Sequence, residues 1–171
     1  EIGPDGALYF TDWQNPIIGH MQHNLRDPNR DKIHGRVYKV TAIGRDLLKP
    51  PVIDGASITH LLDLLKEPEN RTRQRARIEL SERDASEVIA AAQTWIDNLD
   101  PKDPGYPHHV LEGLWLHQAL NVVNSDLLRK VMGLSDFRAR AAAARVLCYW
   151  RDRVPDALEL FKLPRALGQL P

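Results

Sequence analysis

The chain has 171 residues, of which 43% are hydrophobic, and this composition is typical of a globular protein rather than a disordered one. Its 23 basic and 23 acidic side chains give a formal net charge of zero, which argues against nucleic acid as the main partner. No apolar run reaches the roughly 18 residues that span a bilayer, so we predict no transmembrane segment. The single cysteine, Cys148, excludes an internal disulfide, a cysteine-rich zinc site and a CxxCH haem attachment within these residues.

Two short alternating segments near the beginning of the chain predict β-strands. Ala7–Trp13 and Arg36–Thr41 both carry aromatic and β-branched residues and are bounded by turn formers. Pro4-Asp5-Gly6 predicts a tight turn before the first strand, because proline fixes φ and glycine accepts a positive one. Since two strands do not form a stable sheet alone, we expect residues 1–44 to need further strands from elsewhere.

The periodicity changes at Pro50-Pro51, which marks the predicted boundary between a β segment, 1–50, and helical repeats, 57–171. From Ser57 onwards, apolar residues recur with the 3.6-residue period of α-helices. Five such stripes lie within 58–65, 88–99, 110–123, 127–132 and 141–150, and prolines follow the first, the second and the last of them.

An internal repeat relates the first helical segments to the last ones. Seven positions align at one constant offset, namely Leu61, Leu64, Leu65, Arg71, Arg73, Ala76 and Leu80 with Leu128, Val131, Met132, Arg138, Arg140, Ala143 and Leu147. In both copies an apolar helix meets a short acidic turn and a second helix rich in arginine and alanine follows. This pattern predicts a mainly α fold, a HEAT-like α-solenoid of antiparallel helix pairs, with residues 84–124 as the intervening pair.

Several side chains that could carry chemistry are expected to be structural. Four arginines lie among glutamates, which favours solvated ion pairs over a lipid or nucleic-acid patch: Arg71, Arg73, Arg75 and Arg77. Three histidines flank an apolar helix, where capping or core packing is favoured over a metal pair: His108, His109 and His117. Four residues on apolar stripes are expected in the core: Trp95, Trp115, Cys148 and Trp150.

The polar segment between the two predicted strands, Gln14–His34, contains His20, His23 and His34 close to several aspartates. Imidazole and carboxylate together can bind a transition metal or act as acid and base. The structural alternative is that Arg–Asp pairs and hydrogen bonds from these side chains to the backbone fix the loop. No metal site is assigned from this spacing, because His20-x-x-His23 is not a zinc-binding helix motif.

The segments Gly3–Trp13 and His34–Val40 resemble the final blade of a β-propeller of the soluble quinoprotein type, as in the glucose- and sorbosone-dehydrogenase-like proteins. The insert Asn15–Asp31 carries a more specific resemblance than the two strand segments do. Together with the helical repeats, it is similar to the membrane-bound dehydrogenase family of planctomycetes and verrucomicrobia. The chain departs from that family at Lys39, where arginine is expected, and at Lys32-Ile33, where His-Thr is common.

This resemblance implies a piece of a longer periplasmic or secreted protein, in which a propeller oxidises a sugar or alcohol and passes electrons to a c-type haem domain. The opening Glu1–Gly6, a turn without methionine or signal peptide, favours the same expectation. The remaining blades would be partners of residues 1–50, and the helical repeats would be a spacer and docking platform for protein. We expect no cofactor within these residues, although the longer protein would hold a quinone and a haem.

Within this resemblance, His20 and His34 are the candidate catalytic residues and Arg36 is the candidate cofactor-binding residue. A histidine near neutrality can remove a proton from a hydroxyl group as hydride leaves the carbon, and the arginine fork can pair with a carboxylate of a quinone. The competing interpretation is a non-enzymatic propeller–solenoid scaffold that binds protein or carbohydrate, since fold-level likeness does not establish function.

Overall fold

The computed structural model describes residues 1–12, 28–29, 31 and 33–161. The chain divides into two compact units, Glu1–Pro51 and a second that begins at Val52. Across the described residues, the first unit contains two strands and the second contains seven helices. The expectation of a mainly helical chain preceded by a short β segment is therefore confirmed.

The first unit is built on an antiparallel pair of strands, β1 (Leu8–Asp12) and β2 (Arg36–Val40). Gly6 has a φ of 77°, in the left-handed region that glycine favours, and it closes the predicted turn before β1. The register places Leu8 opposite Val40 and Asp12 opposite Arg36. Trp13, which was predicted to end the first strand, lies outside the described residues.

One face of this two-stranded sheet is apolar and open. Because side chains alternate between the two faces of a strand, Leu8, Phe10, Tyr38 and Val40 share a face, and all four are exposed. The rings of Phe10 and Tyr38 stack with their centroids 5.1 Å apart. The sheet therefore presents a continuous apolar surface, defined here as the sheet face.

The second unit contains helices separated by short turns, in the order α1 (Ile58–Leu64), α2 (Asn70–Ser81), α3 (Ala85–Asp97), α4 (Tyr106–Ala119), α5 (Ser125–Met132), α6 (Phe137–Trp150) and α7 (Ala157–Leu160). Five of the seven begin at a side chain that accepts hydrogen bonds from the first backbone N–H groups, namely Ser57, Glu69, Asp84, Asn124 and Asp136. These caps stabilise N–H groups that have no partner within the helix.

One of the seven repeated pairs, Arg73 and Arg140, makes the same contacts in both copies. Arg73 donates through Nη1 to the carbonyls of Glu67 and Pro68, at 2.6 and 2.7 Å. Arg140 donates through Nη1 to the carbonyls of Leu134 and Ser135, at 2.8 Å each. An arginine on the second helix thus fixes the turn that precedes it, in the pair α1/α2 and again in the pair α5/α6.

Helix α4 lies at the centre of the helical unit and contacts α2, α3, α5 and α6. Its buried residues therefore extend around the helix instead of forming one stripe, and they include Glu112, Gly113 and His117. The close approach of α3 explains Gly113, because a β-carbon there would lie 2.7 Å from Cδ1 of Ile96. Among the described helices, none is long and apolar enough to cross a membrane.

Candidate functional site

The predicted catalytic residues lie in and around the segment that joins the two strands. His20 and His23 lie outside the described residues, so the catalytic role of His20 stays a prediction. The imidazole of His34 is 70% exposed, and its Nδ1 lies 3.0 Å from Oδ2 of Asp31. Oδ1 of Asp31 accepts the backbone N–H groups of Ile33 and His34, and these bonds lower the pKa of that carboxyl.

Arg36, the predicted cofactor-binding residue, forms a cross-strand ion pair. Its Nη2 lies 2.8 Å from Oδ2 of Asp12, the residue opposite it in the register. Its guanidinium also lies 5.7 Å from the centre of the Tyr38 ring. In the described part of the chain, the contacts of His34 and Arg36 involve different aspartates, and they do not bring the two side chains onto a common partner.

A buried carboxylate stands at the centre of the helical unit. Glu112 on α4 has no exposed surface, and two arginines of α2 bind it. Nε of Arg73 lies 3.1 Å from Oε1, and Nη1 of Arg77 bonds to Oε2. The expectation that these two arginines form solvated ion pairs was wrong, because packing of α2 against α4 buries their shared acceptor and leaves their side chains only 12% and 20% exposed.

His108, one turn before Glu112, completes this cluster. Its Nε2 lies 3.2 Å from Oε1 of Glu112, as a close polar contact that lacks hydrogen-bond geometry. Burial raises the pKa of Glu112, but the contacts of His108 and Arg77 outweigh burial and leave that pKa below its usual 4.5. A carboxylate that is ionised, enclosed and occupied by cationic side chains cannot reach a ligand, so the cluster stabilises the packing of α2 on α4.

The arginine–carboxylate cluster also positions Trp115. The guanidinium of Arg77 lies 5.3 Å from the centre of the Trp115 ring, and the His108 ring meets it edge-on at 6.1 Å. Trp115 packs against the hydrophobic core, as expected, but it is only partly buried. Its position on the periphery of α4 turns one side of the indole towards a cleft.

This cleft runs along the surface between α4 and α6, and we name it the α4–α6 groove. From the α4 side it is lined by Pro104, Pro107, His108, Leu111, Trp115 and Gln118. From the α6 side it is lined by Asp136, Arg138, Ala139, Ala141, Ala142, Arg145, Val146 and Tyr149. Trp115 and Ala142 line both halves, so the two halves are continuous.

Two arginines on α6 give the groove its charge. Neither Arg138 nor Arg145 has an ion-pair partner within the part of the chain that the structure describes. The guanidinium of Arg138 lies 5.4 Å from the ring centre of its neighbour Phe137. Tyr149, one turn beyond Arg145, is 64% exposed. Sequence analysis missed this site, although its signal was present as Arg138, Arg145 and Tyr149 at helical spacing.

His117 is a core residue with both ring nitrogens engaged. Nδ1 donates to the carbonyl of Gly113 at 2.9 Å, and Nε2 accepts from Nδ2 of Asn124 at 3.1 Å, which fixes the neutral tautomer. Burial lowers the pKa of His117 below its usual 6.5. Among the described residues, no group of three or more His, Cys, Asp or Glu side chains could hold a metal ion.

Cys148 is exposed, which corrects its expected burial beside Leu147. Successive helical residues differ by about 100° in direction, so Leu147 faces the core while Cys148 faces solvent. Trp150 is buried as expected, and Trp95 is also buried.

Searches with family models, among curated proteins and among solved structures found no match to this chain.

Proposed function

We propose that the chain joins the last blade of a β-propeller to a HEAT-like α-solenoid within a larger periplasmic or secreted dehydrogenase-like protein, where the helical unit is a docking platform for protein. The α4–α6 groove carries the docking role, because it presents partly exposed aromatic rings beside two arginines without ion-pair partners in the described part. Rigid aromatic and arginine side chains are enriched at protein interfaces.

The open sheet face supports the propeller part of this proposal. Propeller blades are sheets that pack against one another around a channel, so a terminal blade needs neighbours on its faces. The exposed side chains of Leu8, Phe10, Tyr38 and Val40 would be covered by such a neighbour. Lys39 keeps a basic residue where the resemblance expects arginine, and its Nζ lies 2.6 Å from Oδ2 of Asp5.

The equivalent contacts of Arg73 and Arg140 support the solenoid part. In helical-repeat proteins each unit is one helix pair that packs only on its neighbours, so equivalent positions make equivalent contacts. Glu69 and Asp136, which precede these arginines by the same number of residues, are both N-caps.

A photo-crosslinker at position 149 of the full-length protein tests the docking role. The docking platform predicts adducts between α6 and another domain or subunit of the purified protein. The matched control places the same crosslinker at Ile78, which is 51% exposed on α2 and does not line the groove. Equal yields at both positions, or no adduct at position 149, would contradict a docking surface there.

Substitution in the full-length protein tests the oxidoreductase role. With added quinone and an artificial electron acceptor, His20→Ala and His34→Ala should each lower turnover of a sugar or alcohol by roughly a hundredfold at unchanged melting temperature. Arg36→Ala should raise the quinone concentration needed for half-maximal activity. His60→Ala, an exposed change on α1, is the control.

A non-enzymatic scaffold is the second candidate, and one observation favours it. Asp31 engages His34 and Asp12 engages Arg36, so both described site residues have structural partners. The scaffold predicts no dye-linked oxidation by the full-length protein at any quinone concentration, and a lower melting temperature for His34→Ala.

A further inference from the structure

We infer that the α4–α6 groove binds an acidic, extended segment of a partner protein; this inference rests on the docking role proposed above and specifies the chemistry of its partner. Arg138 and Arg145 supply the charge that such a segment needs. Trp115 and Tyr149 supply aromatic contact area beside that charge.

The electrostatics of the groove favour carboxylates. Among the described residues that line it, Asp136 is the only acidic one, and its Oδ1 accepts the N–H of Ala139 at 2.8 Å as the cap of α6. Glu112 of α4 does not line the groove, and it is enclosed and bound by Arg73 and Arg77. Arg138 and Arg145 therefore remain as net positive charge, which attracts and orients an anionic partner.

The spacing of the two arginines selects a spacing in the partner. Residues seven apart on a helix share a face and differ by about 10 Å along its axis, since the rise is about 1.5 Å per residue. A polyproline-type extended chain repeats every three residues and rises about 3.1 Å per residue, so its positions i and i+3 share a side at about 9 Å. Two acidic residues three positions apart therefore match Arg138 and Arg145.

The floor of the groove suits the backbone and apolar side chains of such a segment. Ala139 and Ala142 are small residues of α6 that lie in the floor of the groove, next to the two arginines. Arg77 lies over the Trp115 ring and the His108 ring packs against it in a T-shaped arrangement, so the indole is positioned before a partner arrives. A positioned ring lowers the ordering cost of binding, which favours an apolar side chain between the two acidic ones.

Nucleic acid fits the same charge less well. A nucleic-acid surface needs a basic stripe that follows many phosphates, whereas this groove has two arginines that lack ion-pair partners in the described part of the chain and an aspartate at one end. The chain as a whole has no net positive charge.

Fluorescence anisotropy with the whole chain tests the inference. The probe is a labelled ten-residue peptide with two glutamates three positions apart and a leucine between them, at low and physiological salt. Arg138→Gln and Arg145→Gln should each raise Kd about tenfold, as expected for loss of one charge-assisted hydrogen bond. Tyr149→Ala should raise it about fivefold or more. Arg75→Gln, an exposed charge-matched change on α2 away from the groove, should leave Kd unchanged.

Three outcomes would overturn the inference: equal affinity of the double variant Arg138→Gln/Arg145→Gln, equal affinity of a peptide with glutamine in place of glutamate, or stronger binding of a single-stranded oligonucleotide or anionic vesicle. The crosslinking experiment at position 149 separates this failure from failure of the docking role. If adducts form at position 149 but the peptide does not bind, the docking role is retained and the inference of an acidic partner is rejected. Absence of both rejects the docking role as well.

Discussion

The sheet unit and the helical unit of this chain differ in how much apolar side-chain surface their described residues bury. The strands β1 and β2 pair along five residues each, yet Leu8, Phe10 and Val40 on their shared face stay exposed. In the helical unit, Leu61, Leu114 and Leu147 have no exposed surface at all. Backbone hydrogen bonds form the elements of both units, whereas among the described residues the large apolar area removed from water belongs to the helical unit.

The same difference appears in the charged side chains. Arg36–Asp12 is a surface pair, and an exposed pair contributes little because water screens it, whereas Lys39–Asp5 is partly enclosed, with the Asp5 side chain 13% exposed. Arg73 and Arg77 meet Glu112 in the interior, where an unpaired charge would be costly. The described ion pairs of the first unit thus keep at least one partner open to water, whereas the second unit encloses the carboxylate of Glu112 completely and needs its arginine partners.

Hydrogen exchange should show the largest contrast between the units. We expect amides of β1 and β2 in the isolated monomer to exchange about a thousandfold faster than those of residues 110–119 and 139–149, because local opening is easy where few apolar contacts are lost. Mass spectrometry of deuterium uptake measures this directly. Strong protection throughout the described residues of 7–41 would show that the sheet has a stabilising partner within this chain.

Truncation of core leucines should separate the units by stability. Leu147→Ala or Leu114→Ala should lower the free energy of unfolding by about 2–5 kcal/mol, because both side chains are fully buried. Val37→Ala in β2, whose side chain is 71% exposed, should change it by less than about 0.5 kcal/mol. Urea denaturation gives both values. Similar losses of unfolding free energy for Leu147→Ala and Val37→Ala would contradict the difference in burial between the two units.

These core positions are also where sequence reasoning succeeded. The 3.6-residue stripes predicted the positions of helices, and the repeat identified Arg73 and Arg140 as equivalent before any contact was known. Apolar period and capping residues are local, so they can be read from neighbouring positions in the chain. The partner of Arg73 could not be identified in this way, because Glu112 is distant in sequence and becomes the neighbour of Arg73 only when α2 packs on α4.

Removal of the buried charge should cost almost as much as a lost core leucine. Glu112→Gln leaves Arg73 and Arg77 facing a neutral amide, and we expect a loss of about 3 kcal/mol, at the lower end for a broken buried pair since both arginines keep some exposure to water. The matched control is Glu79→Gln on α2. It removes the partially exposed ion-pair partner of Arg83 and should cost under about 1 kcal/mol. Equal losses in the two variants would mean that the cluster is as well solvated as a surface pair.

A signal for this cluster did exist in the sequence. Glu112 interrupts the apolar run Val110–Leu114, and a charged residue on a buried stripe requires a partner. The sequence could not show which side chain would pair with Glu112. The prediction that Cys148 is buried was wrong for a different reason. Its neighbours along the chain are hydrophobic and suggest burial, but the side chain of Cys148 lies on the side of α6 that faces solvent.

A smaller cost is expected where α3 approaches α4. Gly113→Ala places a β-carbon 2.7 Å from Cδ1 and 2.9 Å from Cγ1 of Ile96, which is itself buried. Overpacking should outweigh the better helix propensity of alanine and cost about 1–3 kcal/mol. Gly133→Ala is the control, since the nearest atom to its β-carbon is at an ordinary 3.5 Å and its φ is negative. A gain in melting temperature for Gly113→Ala would show that Ile96 rotates away freely.

The weakest effect should be the dependence of stability on pH that His117 contributes to the helical unit. Burial lowers the folded-state pKa of His117 below 6.5, whereas the unfolded chain keeps an ordinary histidine. The unfolded state therefore binds protons first as pH falls, and stability should decrease from about pH 6.5 downwards until the folded-state pKa is reached, by at most about 1.4 kcal/mol per pH unit for one proton. His117→Gln should flatten this slope between pH 7.5 and 5.5, and the slope that remains would include His109, whose pKa burial also lowers. His60→Gln, on the exposed side of α1, should leave it as in the wild type. An unchanged slope in His117→Gln, measured by urea denaturation at each pH, would mean that the bonds to Gly113 and Asn124 open before the ring is protonated and that this part of the interior admits water.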